Sequence, residues 1–463
     1  MEKNNLNKNV VLITAAIASF IIPFMGLSIN VALPTIGKTF AIDAINLSWI
    51  TTIFLLTSAM FALPFGKIAD IKGRKKIFTY GLILVIIGSI TAGLSNSAGI
   101  IIASRAIQGF GGAMLFVTAL TIIISVFPDK ERGKAIGINV GATYLGGISG
   151  PVIGGILTNY LSWRSIFLFC AIIGLISLIL TLTELKNFEI IDNKNVKLDI
   201  KGSIIYMLML GLILWGFSNI TKSNGLIFLT LGIIFFVIFI IIESRTEDSL
   251  LNMNLFKNNR TFTFSNIATF ISFVGLYAVI YLITLYLQYI KGFSSSTAGL
   301  IQCVQMIFML IMAPNAGKLA DKYDPGKLSS LGMIIMSISI IMLIFLDKNT
   351  NITYIIVSLA LLGIGVGIFS APNTAAIMGS VEKKDYNIAS ATVSTMRLIG
   401  QTFGLGICIL IFSIYIGSTQ ITPNQYPAFL ISIKITFIIA AILSIIAIFA
   451  SLERTNKNKG ISS

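Results

Sequence analysis

The sequence predicts an all-α polytopic membrane protein, and three observations carry that prediction. Of the 463 residues, 56% are hydrophobic and only 11% charged, with a mean hydropathy of +0.92, whereas soluble domains carry about 25% charged residues. Charge-free runs such as Ile204 to Phe217 and Leu226 to Ile242 recur along the whole chain, each near the roughly 20 residues that cross about 30 Å of hydrocarbon as a helix. Lys and Arg gather in alternate intervals between these runs. A membrane barrel would instead alternate apolar and polar residues in segments of about 10, and that pattern is absent.

Fourteen spans are expected, each with its own justification. The first, centred near residue 20, follows the basic segment MEKNNLNKNV and closes on Asn30-Val-Ala-Leu-Pro34. It resembles a signal peptide only superficially, because no small-residue cleavage site ends a short apolar region. The second and third, near 58 and 86, flank the basic stretch Gly66 to Lys76. The fourth, near 111, carries Arg105 about seven residues in, roughly 10 Å deep at about 1.5 Å per residue. Gln108 follows three positions on and shares its face. A charge at that depth is either a cavity-facing group that binds solute or senses protonation, or a snorkelling or structural Arg bonded to backbone carbonyls.

The fifth span, near 146, pairs Gly146 with Gly150 and Gly150 with Gly154 at GxxxG spacing and contains Pro151. Small residues let a neighbouring helix approach closely, and the proline frees a carbonyl and bends the rod. The sixth, near 173, opens on Trp163-Arg164-Ser-Ile-Phe167; the seventh and eighth, near 210 and 233, are the charge-free runs already named. The ninth, near 275, bears Tyr277, Tyr281 and Gln288 at helical spacing. These either offer ring faces and hydrogen bonds to a solute or serve packing and an interfacial belt. The tenth, near 309, precedes a second basic stretch, and the eleventh and twelfth, near 337 and 365, are further apolar runs. The thirteenth, near 402, places Arg397 about eight residues in, with Gln401 one turn on, as a second deep charge that lines a cavity or is structural. The fourteenth, near 440, contains Lys434, read as snorkelling near the outer face.

With an inside N-terminus, 25 of the 33 Lys and Arg residues fall in inward stretches and five, Lys38, Arg164, Lys222, Lys291 and Lys348, in outward loops. Both termini are therefore expected in the cytoplasm, and the net charge of +15 reads as topology rather than as a nucleic-acid footprint. The chain also repeats itself. GKIADIKGRKK from Gly66 and GKLADKYDPGK from Gly317 lie 251 residues apart, each after the second span of its half. Two six-helix halves, residues 1–183 and 261–463, are expected around an inserted two-helix segment at 184–260, the layout of carriers that rock about a midplane site. Cys170, Cys303 and Cys408 lie in apolar stretches and read as core filler rather than a disulfide framework.

Several ordered motifs resemble the major facilitator superfamily, and specifically its fourteen-helix drug:proton antiporter branch, over nearly the whole chain. Gly66-Lys-Ile-Ala-Asp70-Ile-Lys-Gly73-Arg74 resembles the loop motif between helices two and three, and Arg105-Ala-Ile-Gln108-Gly109 the helix-four motif. Gly146-Gly-Ile-Ser-Gly150-Pro151-Val-Ile-Gly154-Gly155 resembles the antiporter motif of exporters. The resemblance implies a cytoplasmic latch at Gly66, Asp70, Gly73 and Arg74, echoed by Asp321 in the second copy. It implies cavity or coupling roles for Asn30, Arg105, Gln108, Arg397 and Gln401, and in the fifth helix a seal that suppresses leak. The implied function is a monomeric, secondary-active exporter of small amphipathic molecules, of drug or multidrug type, driven by protons in the cell membrane with lipid around it. No cofactor and no metal site are expected.

One departure stands out. Many relatives carry an Asp five residues before the Asn-Val-Ala-Leu-Pro ending, where this chain has Met25. All 18 Asp and Glu residues fall in loops, tails or helix edges, and there is no His. Proton coupling would then run through edge acids such as Asp70 acting on Arg105, and a cavity with Arg but no acid would favour neutral or anionic solutes. The competing readings are a dedicated metabolite or lipid exporter, a membrane-embedded enzyme, which would need clustered acids, His or an activated nucleophile at membrane depth, and a non-transporting sensor. ATP-driven transport lacks its GxxxxGK[ST] phosphate loop.

Overall fold

A computed structural model describes residues 8–185, 198–246, 250–382 and 385–453. Among them run fifteen α-helices: α1 (Lys8–Phe40), α2 (Ala44–Lys72), α3 (Arg74–Gly93), α4 (Ala98–Val126), α5 (Asp129–Tyr160), α6 (Arg164–Glu184), α7 (Ile200–Ser218), α8 (Gly225–Glu243), α9 (Met253–Asn258), α10 (Arg260–Tyr289), α11 (Ser295–Ala320), α12 (Pro325–Ile344), α13 (Ile352–Gly379), α14 (Tyr386–Tyr415) and α15 (Tyr426–Glu453). Fourteen are long and apolar enough to cross a membrane, and the six-residue α9 is the exception. Each expected span centre falls inside one of the fourteen.

Apolar composition makes these segments helical, and side-chain caps set several of their starts. Ser97 accepts from the Ile100 amide at the head of α4, Asn259 from Phe262 at α10, and Asn351 from Thr353 at α13. Each cap satisfies a backbone donor that the first turn leaves without a carbonyl. The connection between α2 and α3 is tighter than a loop. Helix α2 continues through the motif to Lys72, and Gly73 alone reverses the chain with φ 108° and ψ 131°, a region that L side chains avoid.

The chain forms two compact units. Of the described residues, one comprises 8–42, 49–185, 198–207 and 294–300; the other comprises 43–48, 208–246, 250–293, 301–382 and 385–453. In the first, α1 packs on α4, α5 and α6, and α3 packs on α4 and α6. In the second, α10 packs on α13, α14 and α15, and α12 packs on α13 and α15. The two pairing schemes are the same scheme displaced along the chain, so the repeat seen in Gly66 to Lys76 and Gly317 to Lys327 is a repeat of packing as well. Of the segment expected as an insertion, the first eight residues of α7 belong to the first unit, and the rest of α7 with α8 to the second. Helix α8 turns most of its surface outward, with 17% of its apolar window buried against 83% for α10.

Candidate functional site

In the first unit, glycines let three helices close around one guanidinium. A Cβ on Gly109 of α4 would sit 2.3 Å from the Phe54 carbonyl oxygen of α2, and one on Gly88 of α3 would sit 2.8 Å from the Gln108 side chain. Hydrogen at these positions is therefore what brings α2, α3 and α4 to backbone contact. Arg105 is enclosed there at 1% exposure. Its Nε donates to the Ile50 carbonyl at 3.1 Å, its Nη1 donates to Gln108 Oε1 at 2.8 Å, and its Cζ lies 4.2 Å from the centre of the Phe54 ring. Gln108 passes the chain on, with Nε2 donating to Ser89 Oγ of α3 at 2.8 Å. Nη2 of Arg105 is buried without a hydrogen-bond partner. Among the described residues no carboxylate pairs with this guanidinium, so its positive charge is balanced by carbonyl dipoles and a ring face alone.

Asn30 of α1 is also buried, and its Oδ1 accepts from Thr51 of α2 at 3.0 Å. Met25 lies buried on the same helix. Helix α5 meets α1 along its glycine stripe. A Cβ on Gly146 would fall 2.2 Å from the Phe20 carbonyl oxygen, and one on Gly154 would fall 2.8 Å from Ser28 Cβ. Gly155 faces another way, toward the Ser295 backbone, while the Pro151 carbonyl lies against Gly299. The close approach expected from the GxxxG spacing is thus present, with α1 as its partner.

At the C-terminal end of α2, Asp70 and Arg74 pair across Gly73, with Arg74 Nη2 3.0 Å and Nε 3.2 Å from Asp70 Oδ1. Arg74 Nη1 also reaches Ser125 of α4 at 3.3 Å. The expectation that Asp70 acts on Arg105 meets a geometric obstacle. Arg105 touches Ile50, twenty residues before Asp70 on α2, so the two lie about 30 Å apart along one helix. Direct contact is excluded, because motif order along the chain does not report depth in the membrane.

The second copy of the motif is built differently. Pro325 stands four residues after Asp321, where Arg74 stands after Asp70. Asp321 is exposed, and Asp324 instead caps α12 by accepting from the amides of Gly326 and Lys327. Arg397 lies eleven residues into α14, about 16 Å from its N-terminal end, deeper than the sequence count implied because the helix begins earlier. Its Nη2 donates to Thr374 of α13 at 3.1 Å, and its Cζ lies 5.7 Å from the centre of the Phe273 ring. Gln401, one turn on, is half-buried.

Of the three polar positions on α10, Tyr281 is buried with its hydroxyl 2.6 Å from Ser48 Oγ, whereas Tyr277 and Gln288 are half-buried. Two features escaped the sequence. Ser89, which ends the Arg105 chain, is a lone serine in an apolar run and carries no local signal. Glu243, correctly placed at a helix edge, is nonetheless buried at 2% exposure, with its Oε2 accepting the Leu251 amide at 2.8 Å. Leu251, eight residues on, supplies that amide, and no spacing announces the contact.

Comparison with known proteins bears on what this arrangement serves. The model of the Major Facilitator Superfamily matches residues 15–244 and 266–462. The chain is 30% identical to the riboflavin transporter RibZ of Clostridioides difficile, over 97% of this chain and 99% of that protein. It is 27% identical to the multidrug resistance protein Stp of Mycobacterium tuberculosis, over 90% of this chain and 78% of that protein. Identity to the multidrug transporter protein MdtP of Bacillus subtilis is 31%, over 87% and 75%. Among solved structures, a peptide transporter, POT, in complex with alafosfalin matches with a TM-score of 0.71 at 15% identity, over 96% of this chain and 94% of that one, a likeness of fold.

Proposed function

This chain belongs to the major facilitator superfamily, and from that premise we propose that it is a secondary-active exporter of small amphipathic molecules, working by proton antiport and alternating access. The observation that carries the proposal is Arg105, a guanidinium held at membrane depth with one amino group unpartnered. Burying an unpaired charge is costly, and within spans such groups mark solute or ion pathways. Gln108 and Ser89 fix its orientation, and Asn30 lies on the neighbouring helix. Arg397 supplies the corresponding charge of the second unit, with Gln401 beside it, while Tyr277 and Gln288 offer polar contacts on α10. The glycine stripe Gly146, Gly150 and Gly154, with Pro151 and Gly155, serves as the seal. Asp70, Arg74 and Gly73 form the inner latch, which Gly66 adjoins and Asp321 echoes. Both termini lie on the cytoplasmic side of the cell membrane, and the protein works as a monomer on protons and a small solute.

Charge favours neutral or anionic cargo, because an unneutralised guanidinium repels a lipophilic cation. A second reading, export of one neutral or anionic metabolite, draws on the riboflavin transporter as a relative matched over nearly its whole length. Uptake by inverted vesicles under an imposed pH gradient separates the readings. Chloramphenicol, a neutral antibiotic, and riboflavin are offered side by side, with Arg105→Ala as the control. The multidrug reading expects both to accumulate and the metabolite reading riboflavin alone; Arg105→Ala abolishes either. Accumulation that is indifferent to the gradient, or that survives Arg105→Ala undiminished, removes the proposed mechanism.

A further inference from the structure

Helix α11 carries two amides that the family motifs do not touch. Gln302 and Gln305 are both buried, at 1% and 0% exposure, and three residues apart they share one face of the helix. Gln302 Nε2 donates to the Ile280 carbonyl of α10 at 3.1 Å, which fixes that face toward α10. Gln302 Oε1 has no partner, and neither do Oε1 and Nε2 of Gln305. On its other side the Gln305 backbone is clamped, since a Cβ on Gly363 of α13 would lie 2.2 Å from its carbonyl oxygen. Gln305 sits ten residues into α11, about 15 Å from its outer end and so near the middle of a roughly 30 Å hydrocarbon core.

Buried polar groups are nearly always paired, and one fully buried glutamine with both amide atoms open is a rare arrangement. Apolar side chains of similar shape would fill the same space without that penalty. We propose that, when the transport cycle opens this closed face, Gln302 and Gln305 form a hydrogen-bonding site for the carboxamide edge of a neutral, planar solute. This rests on the reading of the chain as a carrier of small amphipathic molecules, and it names their recognised group. The unmatched set is two acceptors and one donor group. A primary carboxamide complements it: its oxygen accepts from Gln305 Nε2, and its two N–H bonds donate to Gln305 Oε1 and Gln302 Oε1. A carboxylate fails, because it brings no donor, and an ammonium fails, because it brings no acceptor.

Equilibrium binding to the whole protein in lipid nanodiscs tests this without any gradient. The probes are fluorescent 2-naphthamide and N,N-dimethyl-2-naphthamide, which keeps the ring and the carbonyl but loses both donors. Wild type should bind the primary amide at least tenfold more tightly than the dimethyl compound. Gln305→Leu should bind the two within threefold of each other, with an unfolding temperature no lower than that of wild type. Equal binding of both probes by wild type, no binding of either, or a preference that survives Gln305→Leu overturns the site. The wild-type comparison stands even if the variant does not fold. Discrimination in nanodiscs without gradient-driven uptake in vesicles would leave this site intact and remove the antiport reading; uptake without discrimination would do the reverse.

Discussion

Asp70 and Arg74 show how a magnitude separates two roles for one contact. Asp70 is 42% exposed at its side chain and Arg74 11%, so solvent screens the pair at its carboxylate end, and the contact contributes about 1 kcal/mol or less to stability. Asp70→Asn should therefore leave the unfolding temperature almost unchanged. If the pair acts as a latch, transport under a pH gradient should nonetheless fall at least tenfold in vesicles, and unchanged transport would reduce the pair to a helix-end contact. In the connection between α12 and α13, Asp347 holds a turn by accepting from the Asn349 amide at 2.7 Å and the Thr350 hydroxyl at 3.1 Å. The Asn349 amide first, and Thr350 next, hold its carboxyl below the usual carboxylate range. A depressed folded pKa means that the turn's contribution is complete above the unfolded value and lost only as pH falls through the lowered one. The protection of the Asn349 amide against hydrogen exchange, relative to an unprotected amide at the same pH, should accordingly persist at a pH of about 4, near the ordinary Asp value, and fall only in stronger acid.

Helix α5 allows a test within one element. A Cβ at Gly146 meets a backbone oxygen of α1 at 2.2 Å, whereas one at Gly137 of the same helix meets nothing within 4 Å. Gly146→Ala must push two helices apart and should destabilise the protein by about 1–3 kcal/mol. Gly137→Ala only trades backbone freedom for helix propensity and should gain up to about 1 kcal/mol. Unfolding of the two purified variants by denaturant in detergent compares them directly. Equal shifts would mean that the stripe is a composition effect and not a contact. The element scale also explains why Gly73 had to be seen in the structure: the sequence shows a glycine in a basic stretch, but only the fold shows that it is the whole connection between α2 and α3.

For the whole molecule, the charge asymmetry predicts sidedness. In a variant with Cys303 removed, leaving only the buried Cys170 and Cys408, Lys222→Cys should react with an impermeant maleimide in intact cells. Lys134→Cys should react only after permeabilisation, and the reverse pattern would invert the topology. The helical class and the fourteen spans are legible in the amino-acid sequence alone. These follow from the length of hydrocarbon a helix must cross and from the cost of charge inside it. The partners appear only in the packed helices: Ile50 and Phe54 against Arg105, with Ser89 reached through Gln108, Thr374 beside Arg397, the roughly 30 Å along α2 between Asp70 and the Arg105 contact at Ile50, and the open amides of Gln302 and Gln305. The physical reason is that lipid tails are as apolar as leucine, so an apolar residue does not declare whether it faces lipid or protein. Which faces meet is set by glycine notches on neighbouring helices, and a notch shows its partner only once the helices are packed.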